Sequence, residues 1–336
     1  MTTSAIDPGG YPRRYSLFLQ VRMGEPTVAV YRRVIEIAVA AERLGFDTIW
    51  VAARHFGAHH AAVPSLFPVL SAIAQHTTRL RLGTGVVALP FENPVRLVED
   101  AAVTDHLSDG RVEFGVGKGL GFGLSASTYT GFGLSGADRE HLYRTHLDRI
   151  HRLTGTGTVA DAVVMQPDPT PLRGRIWQST GDSDTARRAG SVGDGLLPHA
   201  NSEARRGSGV EQLIDTYLDA HADAGRGAPP RIGTTIGVLP GDARRLLTTD
   251  RQISPGYYAS TPAATDPDRY LREVHVHHGS TARIVDTAHD SGATHRASDL
   301  LFSVPLALHH DHFVGCLEAI AGEIAPALTA PAVVIR

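Results

Sequence analysis

The sequence predicts an α/β fold, a closed (β/α)8 TIM barrel with loop insertions. Strand-like and helix-like patterns alternate eight times along one chain, which favours a closed barrel over an open doubly wound sheet. The strands read as short apolar, β-branched runs, the pattern of parallel strands buried on both faces. No shift of composition marks an internal boundary, so residues 1–14 read as an N-terminal tail and 15–336 as a single barrel domain.

Taken in order, Tyr15 to Val21 reads as the first strand and Thr27 to Leu44 as the helix after it. Thr48 to Ala52 is the second strand, and Ser65 to His76 the second helix. Leu80 to Ala88, apolar and β-branched around Gly83 and Gly85, is the third strand. Leu97, Ala101, Thr104 and Leu107 keep helical spacing, and Ser108-Asp109-Gly110 supplies turn chemistry. Val112 to Val116 is the fourth strand, and Asp138 to Leu153 the fourth helix. Gly174 to Gln178 leads into the fifth strand, with Thr185 to Gly190 in the next helix. Gly195 to Pro198, Ile232 to Leu239 and Asp299 to Val304 are the remaining strands. Glu211 to Ala224 and His312 to Ile324 read as helices. Three stretches read as loops: 119–136, 156–172 and 240–265. The middle one has the makings of a short hairpin outside the barrel.

A formal charge of −3 and the absence of any basic run argue against nucleic acid as a partner. The single cysteine, Cys316, leaves no internal disulfide and fits a reducing compartment. The first residues lack the apolar segment of a signal peptide, and no apolar stretch is long enough to span a bilayer. A cytoplasmic protein without membrane contact is the expectation.

Lys118 stands between glycines at the end of the fourth strand, where backbone approaches closely and an ammonium is a movable point charge. It reads either as an anion seat or as a surface lysine beside a turn. Ser179, Thr180, Gly181, Asp182, Ser183, Asp184 and Thr185 bring hydroxyls and free N–H groups to a helix N-terminus. They suit a phosphate or an ordinary cap, and the two aspartates oppose a dianion unless they point away. Gly85 reads as a close backbone approach or as a barrel bend. His275-Val276-His277-His278 sets two imidazoles on one strand face, and His309-His310-Asp311-His312 spreads its groups around a helix start. Neither has helical zinc spacing, and no metal is expected.

The runs around these residues resemble the bacterial luciferase-like flavin-dependent monooxygenase family. The similarity lies in Gly83-Thr84-Gly85-Val86, Leu89-Pro90, Asn93-Pro94-Val95-Arg96 and the run from Leu107 to Gly119. It continues in Ala40 to Trp50 and in Trp177 to Gly195. The resemblance implies reduced FMN, supplied by a separate reductase, with O2 and a small organic substrate. It implies that Lys118 and the hydroxyls of Ser179, Ser183 and Thr185 hold the flavin phosphate. Thr84-Gly85-Val86 would run beside the ring, often through a non-prolyl cis peptide in this family. A homodimer is also implied.

One departure matters. The family motif after the second strand is Glu-His-His-Phe, and this chain has Ala53-Arg54-His55-Phe56. Arginine cannot give up its proton near neutrality, so Arg54 can donate hydrogen bonds but not transfer protons. His55 is left as the proton carrier, unless it is merely packed in the barrel and Arg54 merely exposed. Three alternatives follow: a coenzyme F-420-dependent oxidoreductase, a non-catalytic flavin-binding partner subunit, and a metal-dependent hydrolase. Glu99, Asp100, Asp105 and His106 read as helix surface and helix end, without chemistry.

Overall fold

Parallel pairing carries the chain round a ring of eight strands. They are β1 (Arg14–Leu19), β2 (Thr48–Val51), β3 (Arg81–Thr84), β4 (Val112–Gly117), β5 (Ile176–Thr180), β6 (Gly195–Pro198), β7 (Gly233–Pro240) and β8 (Asp299–Ser303). β8 pairs with both β7 and β1, and the parallel bridge Leu196↔Ile232 joins β6 to the entry of β7. The computed structural model describes residues 14–21, 27–56, 63–119, 124–199, 209–253, 266, 269–271, 275–289, 291–305 and 310–329.

Helices α1 (Thr27–Arg43), α2 (Leu66–Ala74), α3 (Pro94–Leu107), α4 (Arg139–Thr156), α5 (Ser183–Val192), α6 (Gly209–Asp223), α7 (Thr281–His289) and α8 (His310–Ala319) accompany the strands. The start of α3 shows how the sequence sets a boundary. Asn93 accepts from the Val95 and Arg96 N–H groups at 3.0 and 3.3 Å, and Pro94 fills the first helical position, where no N–H is needed. The outward sides of the strands, including Leu17, Ile49, Leu82 and Phe114, are buried with Val34, Ile37, Leu70 and Val98 of the helices. Among the described residues, no helix is long and apolar enough to cross a membrane.

The barrel interior is filled from its floor. Glu113 accepts from Arg81 Nε at 2.6 Å and from the Trp177 indole at 2.7 Å. Trp177 packs edge-on against Trp50, centroids 5.4 Å apart, with Leu197 and Leu301 completing the cluster. Also on the floor, Asp299 is fully buried; its Oδ1 accepts from Ser16 at 2.7 Å, but its Oδ2 has no hydrogen-bond partner and lies 3.7 Å from Arg14. Burial lifts this carboxyl to about 6, against the pull of Arg14 and Ser16. A raised carboxyl stabilises the fold while protonated and loses that contribution as pH rises through about 6. The lift is worth about 3 kcal/mol. Thermal unfolding followed from pH 4 to pH 8 is therefore expected to lose stability across that window, and Asp299→Asn to flatten the loss. Equal slopes in both proteins would remove Asp299 as its source.

Most expected elements form within a few residues of their predicted ends. The third strand is the main correction. It is not continuous from Leu80 to Ala88: β3 ends at Thr84, the Gly85–Val86 peptide is cis, and Val87–Ala88 resumes pairing on β4. The hairpin is present as Thr158–Ala160 against Val163–Val164. Two of the expected loops contain helices, Leu124–Gly131 and Ala243–Ile253, and the histidine run forms a short strand, Val276–Gly279, that pairs with the end of β7. That strand begins after His275, whose φ of 50° takes it out of the extended run, so His275 and His277 do not share a strand face.

Candidate active site

Because all eight strands run parallel, their carboxyl ends open at one mouth. Gly233 lies against Trp177, Leu197 and Leu301, so it faces inward, and by alternation so do Thr235 and Gly237. Thr235 is nonetheless exposed in the middle of an eight-residue strand. Above the tryptophans the inward positions are small: Gly117, buried against Val86, and half-buried Ser179, Gly237 and Ser303. The glycines below serve packing. A Cβ on Gly83 would lie 2.4 Å from the Trp50 indole, and one on Gly115 2.1 Å from the Thr84 carbonyl oxygen. Thr84 itself is fully buried, and its hydroxyl donates to Gly115 O at 2.7 Å. Its side chain therefore braces two strands, so only its backbone is left for the expected place beside the ring. Gly85 and Val86 are half-buried, and a Cβ on Gly85 would press on Phe18 at 2.9 Å.

Lys118 is the only lysine in the sequence; every other basic side chain with a fixed charge is arginine. Its ammonium lies 2.5 Å from Asp182 Oδ2 and 2.6 Å from Glu140 Oε2, and 5.6 Å above the Tyr143 ring. The side chain is only 14% exposed, so it is not a free surface lysine. Tyr143 is fully buried, and its hydroxyl donates to Gln178 Oε1 at 3.1 Å. Gln178 in turn donates to buried Asp194, which also receives His151 and Arg173. This network fixes the ring beneath the ammonium.

Asp182 caps α5. Its Oδ1 accepts from the Thr185 N–H at 2.9 Å, and its Oδ2 accepts from the Thr180 and Thr185 hydroxyls at 3.0 and 3.1 Å. Burial pushes this carboxyl up, but hydrogen bonds from Lys118 and the Thr185 N–H outweigh it and hold the group at about 2. Glu140, which also accepts from Arg144, is held low in the same way. The hydroxyls therefore divide. Thr180 and Thr185 are engaged by Asp182, whereas Ser179 and Ser183 are half-buried with no side-chain hydrogen bond among the described residues. Asp184 points away, paired with Arg187. Sequence reasoning missed Glu140, Tyr143 and Arg139, whose guanidinium donates to Gly119 O at 3.2 Å. The only signal for them was a charged helix start at Asp138-Arg139-Glu140.

At the other side of the mouth, His55 sits edge-on to Phe91 and Phe132, with centroids at 5.7 and 5.0 Å. Burial lowers its pKa, so the imidazole is neutral near pH 7. Phe56, at φ 59°, packs on Gly131 of the unexpected helix and stays 55% exposed. Arg54 is exposed, with no side-chain partner among the described residues. The GR turn proves structural: buried Arg111 donates to Ser108 O, Thr77 Oγ1, Leu80 O, Ala74 O and Thr77 O. Asp105 is a bidentate partner of Arg175, and Glu99 and Asp100 pair with Arg96 on the surface. His59, His60 and His309 lie outside the described residues, as does the side chain of His310. Among the described residues, no group of three or more His, Cys, Asp or Glu could hold a metal ion.

Known proteins share this architecture. A profile described as luciferase-like monooxygenase matches residues 14–323. The chain is 35% identical to 4-hydroxyprotoasukamycin monooxygenase of Streptomyces nodosus subsp. asukaensis over 218 residues, 63% of this chain and 51% of the relative. It is 35% identical to the oxygenase component of flavin-dependent trigonelline monooxygenase of Acinetobacter baylyi over 113 residues, 32% of this chain and 30% of the relative. The chain spans about half the length of several curated relatives it matches. Among solved structures, monooxygenase RslO1 from Streptomyces bottropensis superimposes with a TM-score of 0.79 at 20% identity, covering 93% of this chain and 99% of that one. The oxygenating constituent of 3,6-diketocamphane monooxygenase from Pseudomonas putida, in complex with FMN, gives 0.71 at 16%, covering 94% and 98%. The coenzyme F-420-dependent tetrahydromethanopterin reductase of Methanopyrus kandleri gives 0.66 at 14%, covering 94% and 99%.

Proposed function

This chain belongs to the luciferase-like monooxygenase family, and we propose that it is the oxygenase of a two-component system, taking reduced FMN from a separate reductase and using O2 to oxygenate a small organic substrate. The observation that carries this reading is the juxtaposition at the barrel mouth of Lys118 with the N-terminus of α5, beside the small inward residues Gly117 and Ser179. The residues fit a phosphorylated flavin. The backbone at Gly85-Val86 and the small side chain of Ser179 would border the ring. Lys118, Ser179 and Ser183 supply a cation and two hydroxyls to a phosphate. Reduced FMN, when bound, supplies the electrons that activate O2.

The chain's own groups do the rest. Trp50 and Trp177 close the barrel interior below the mouth, and Phe56, Phe91 and Phe132 form an aromatic cluster that would screen one side of a bound flavin from water. His55, neutral and half-buried, can accept a proton at an imidazole nitrogen, while Arg54 can only donate hydrogen bonds to developing negative charge. The named relatives that are an oxygenase component or an oxygenating constituent favour a separate reductase.

Anaerobic titration with reduced FMN, followed by mixing with O2, tests the proposal. Reoxidation is expected to follow kinetics distinct from those of free flavin; absence of binding, or kinetics identical to free flavin, would remove it. Arg54→Ala is expected to change the reoxidation rate by about tenfold or more, while FMN affinity stays within about twofold. An unchanged rate would take Arg54 out of the reaction.

A further inference from the structure

The contacts of Asp182 are those a phosphate would make. One oxygen takes the Thr185 N–H at the start of α5, and the other takes Lys118 and the hydroxyls of Thr180 and Thr185. A carboxylate thus holds both the helix N-terminus and the chain's only ammonium. We propose that Asp182 is a resident surrogate for the cofactor phosphate, which must swing off Lys118 before a phosphate can enter, and that this residue sets how strongly the chain selects phosphorylated from unphosphorylated flavin. The inference rests on the flavin reading above.

The physical argument is one of competition. A phosphate dianion gains from Lys118 only what remains after the Asp182 contact is broken, and the displaced carboxylate is left beside a like charge. The second carboxylate, Glu140, is less of an obstacle. It keeps Arg144 as a partner at 2.7 Å when the ammonium turns away, and it makes no contact with the α5 N-terminus. Asp182 has no second ion-pair partner among the described residues, so its release is the step that opposes entry. Such a seat binds phosphorylated flavin weakly and releases it readily, which suits a protein that receives its flavin from another.

The test compares wild type with Asp182→Asn, Glu140→Gln and Lys118→Ala, titrating each with FMN and with riboflavin and following flavin fluorescence. Asparagine is as good an N-cap as aspartate, so α5 keeps its start, and far-UV circular dichroism verifies the fold. Asp182→Asn is expected to tighten FMN by about tenfold and to move riboflavin by less than about twofold. Glu140→Gln is expected to tighten FMN less. Unchanged or weakened FMN binding in Asp182→Asn would overturn the inference. If Lys118→Ala still weakens FMN selectively in that case, the flavin reading stands without it. If no variant distinguishes FMN from riboflavin, both fall together.

Discussion

Lys118→Ala is expected to weaken FMN binding by about 10- to 100-fold and to leave riboflavin within about twofold, because a hydrogen bond to a charged group is worth about 1.5–3 kcal/mol. The two flavins differ only in the phosphate, so their ratio isolates the contact from any general damage to the mouth. In wild type the ammonium must first give up Asp182, a cost the variant does not bear, so the loss should fall short of the direct contact alone. Lys118→Arg adds a sharper comparison. Charge is conserved, but a planar fork must fit a space in which Asp182 and Glu140 lie 2.5 and 2.6 Å from a single nitrogen above the Tyr143 ring. In a chain whose other fixed positive charges are all arginine, a position that keeps lysine is one where a compact point charge matters. Equal weakening of both flavins by Lys118→Ala would refute a phosphate role.

Much of this architecture is legible in the sequence. Most barrel strands are short, largely apolar runs bounded by turn residues, and the third is the one whose continuity the pattern overstates. The three late discoveries each have a physical reason. Leu124–Gly131 is built from Leu, Ser, Ala, Thr, Tyr and Gly, mostly poor helix formers, and tertiary contact sustains it: Tyr129 on Phe91 and Gly131 under Phe56. Ala243–Ile253 does carry the helical spacing, with Ala243, Leu247 and Asp250 buried, but Pro240-Gly241 before it reads as the opening of a loop. Val276–Gly279 reads as part of a strand, and what the residue types do not show is the turn at His275, φ 50°, that parts its imidazoles. At the site, the motif around Lys118 was readable, and so was the hydroxyl cluster. Which way Asp182 turns was not, since its N-cap preference is a local property and Lys118 is 64 residues away. Arg54 is the reverse case: its departure from the family pattern is plain in the sequence, and its exposed guanidinium can donate hydrogen bonds but cannot carry the proton that a histidine would carry.

Gly115→Ala is expected to destabilise the protein by about 3 kcal/mol or more, and to abolish flavin binding in whatever fraction still folds. The added Cβ would stand 2.1 Å from the Thr84 carbonyl oxygen, 3.1 Å from Val86 and 3.2 Å from the Trp50 ring. The first of these is backbone and cannot rotate aside. Relief requires β3 and β4 to part, which breaks the Thr84 hydroxyl bond to Gly115 O and shifts Gly85-Val86, the segment proposed to lie along the ring. Stability and cofactor binding thus fail through one displacement. Gly174→Ala is the matched control, because a Cβ there meets nothing within 4 Å and the residue does not have a positive φ. Urea unfolding of the two variants should separate them by the full expected difference. A Gly115→Ala protein as stable as the control, with FMN bound normally, would mean that the close approach of β3 to β4 does not shape the mouth.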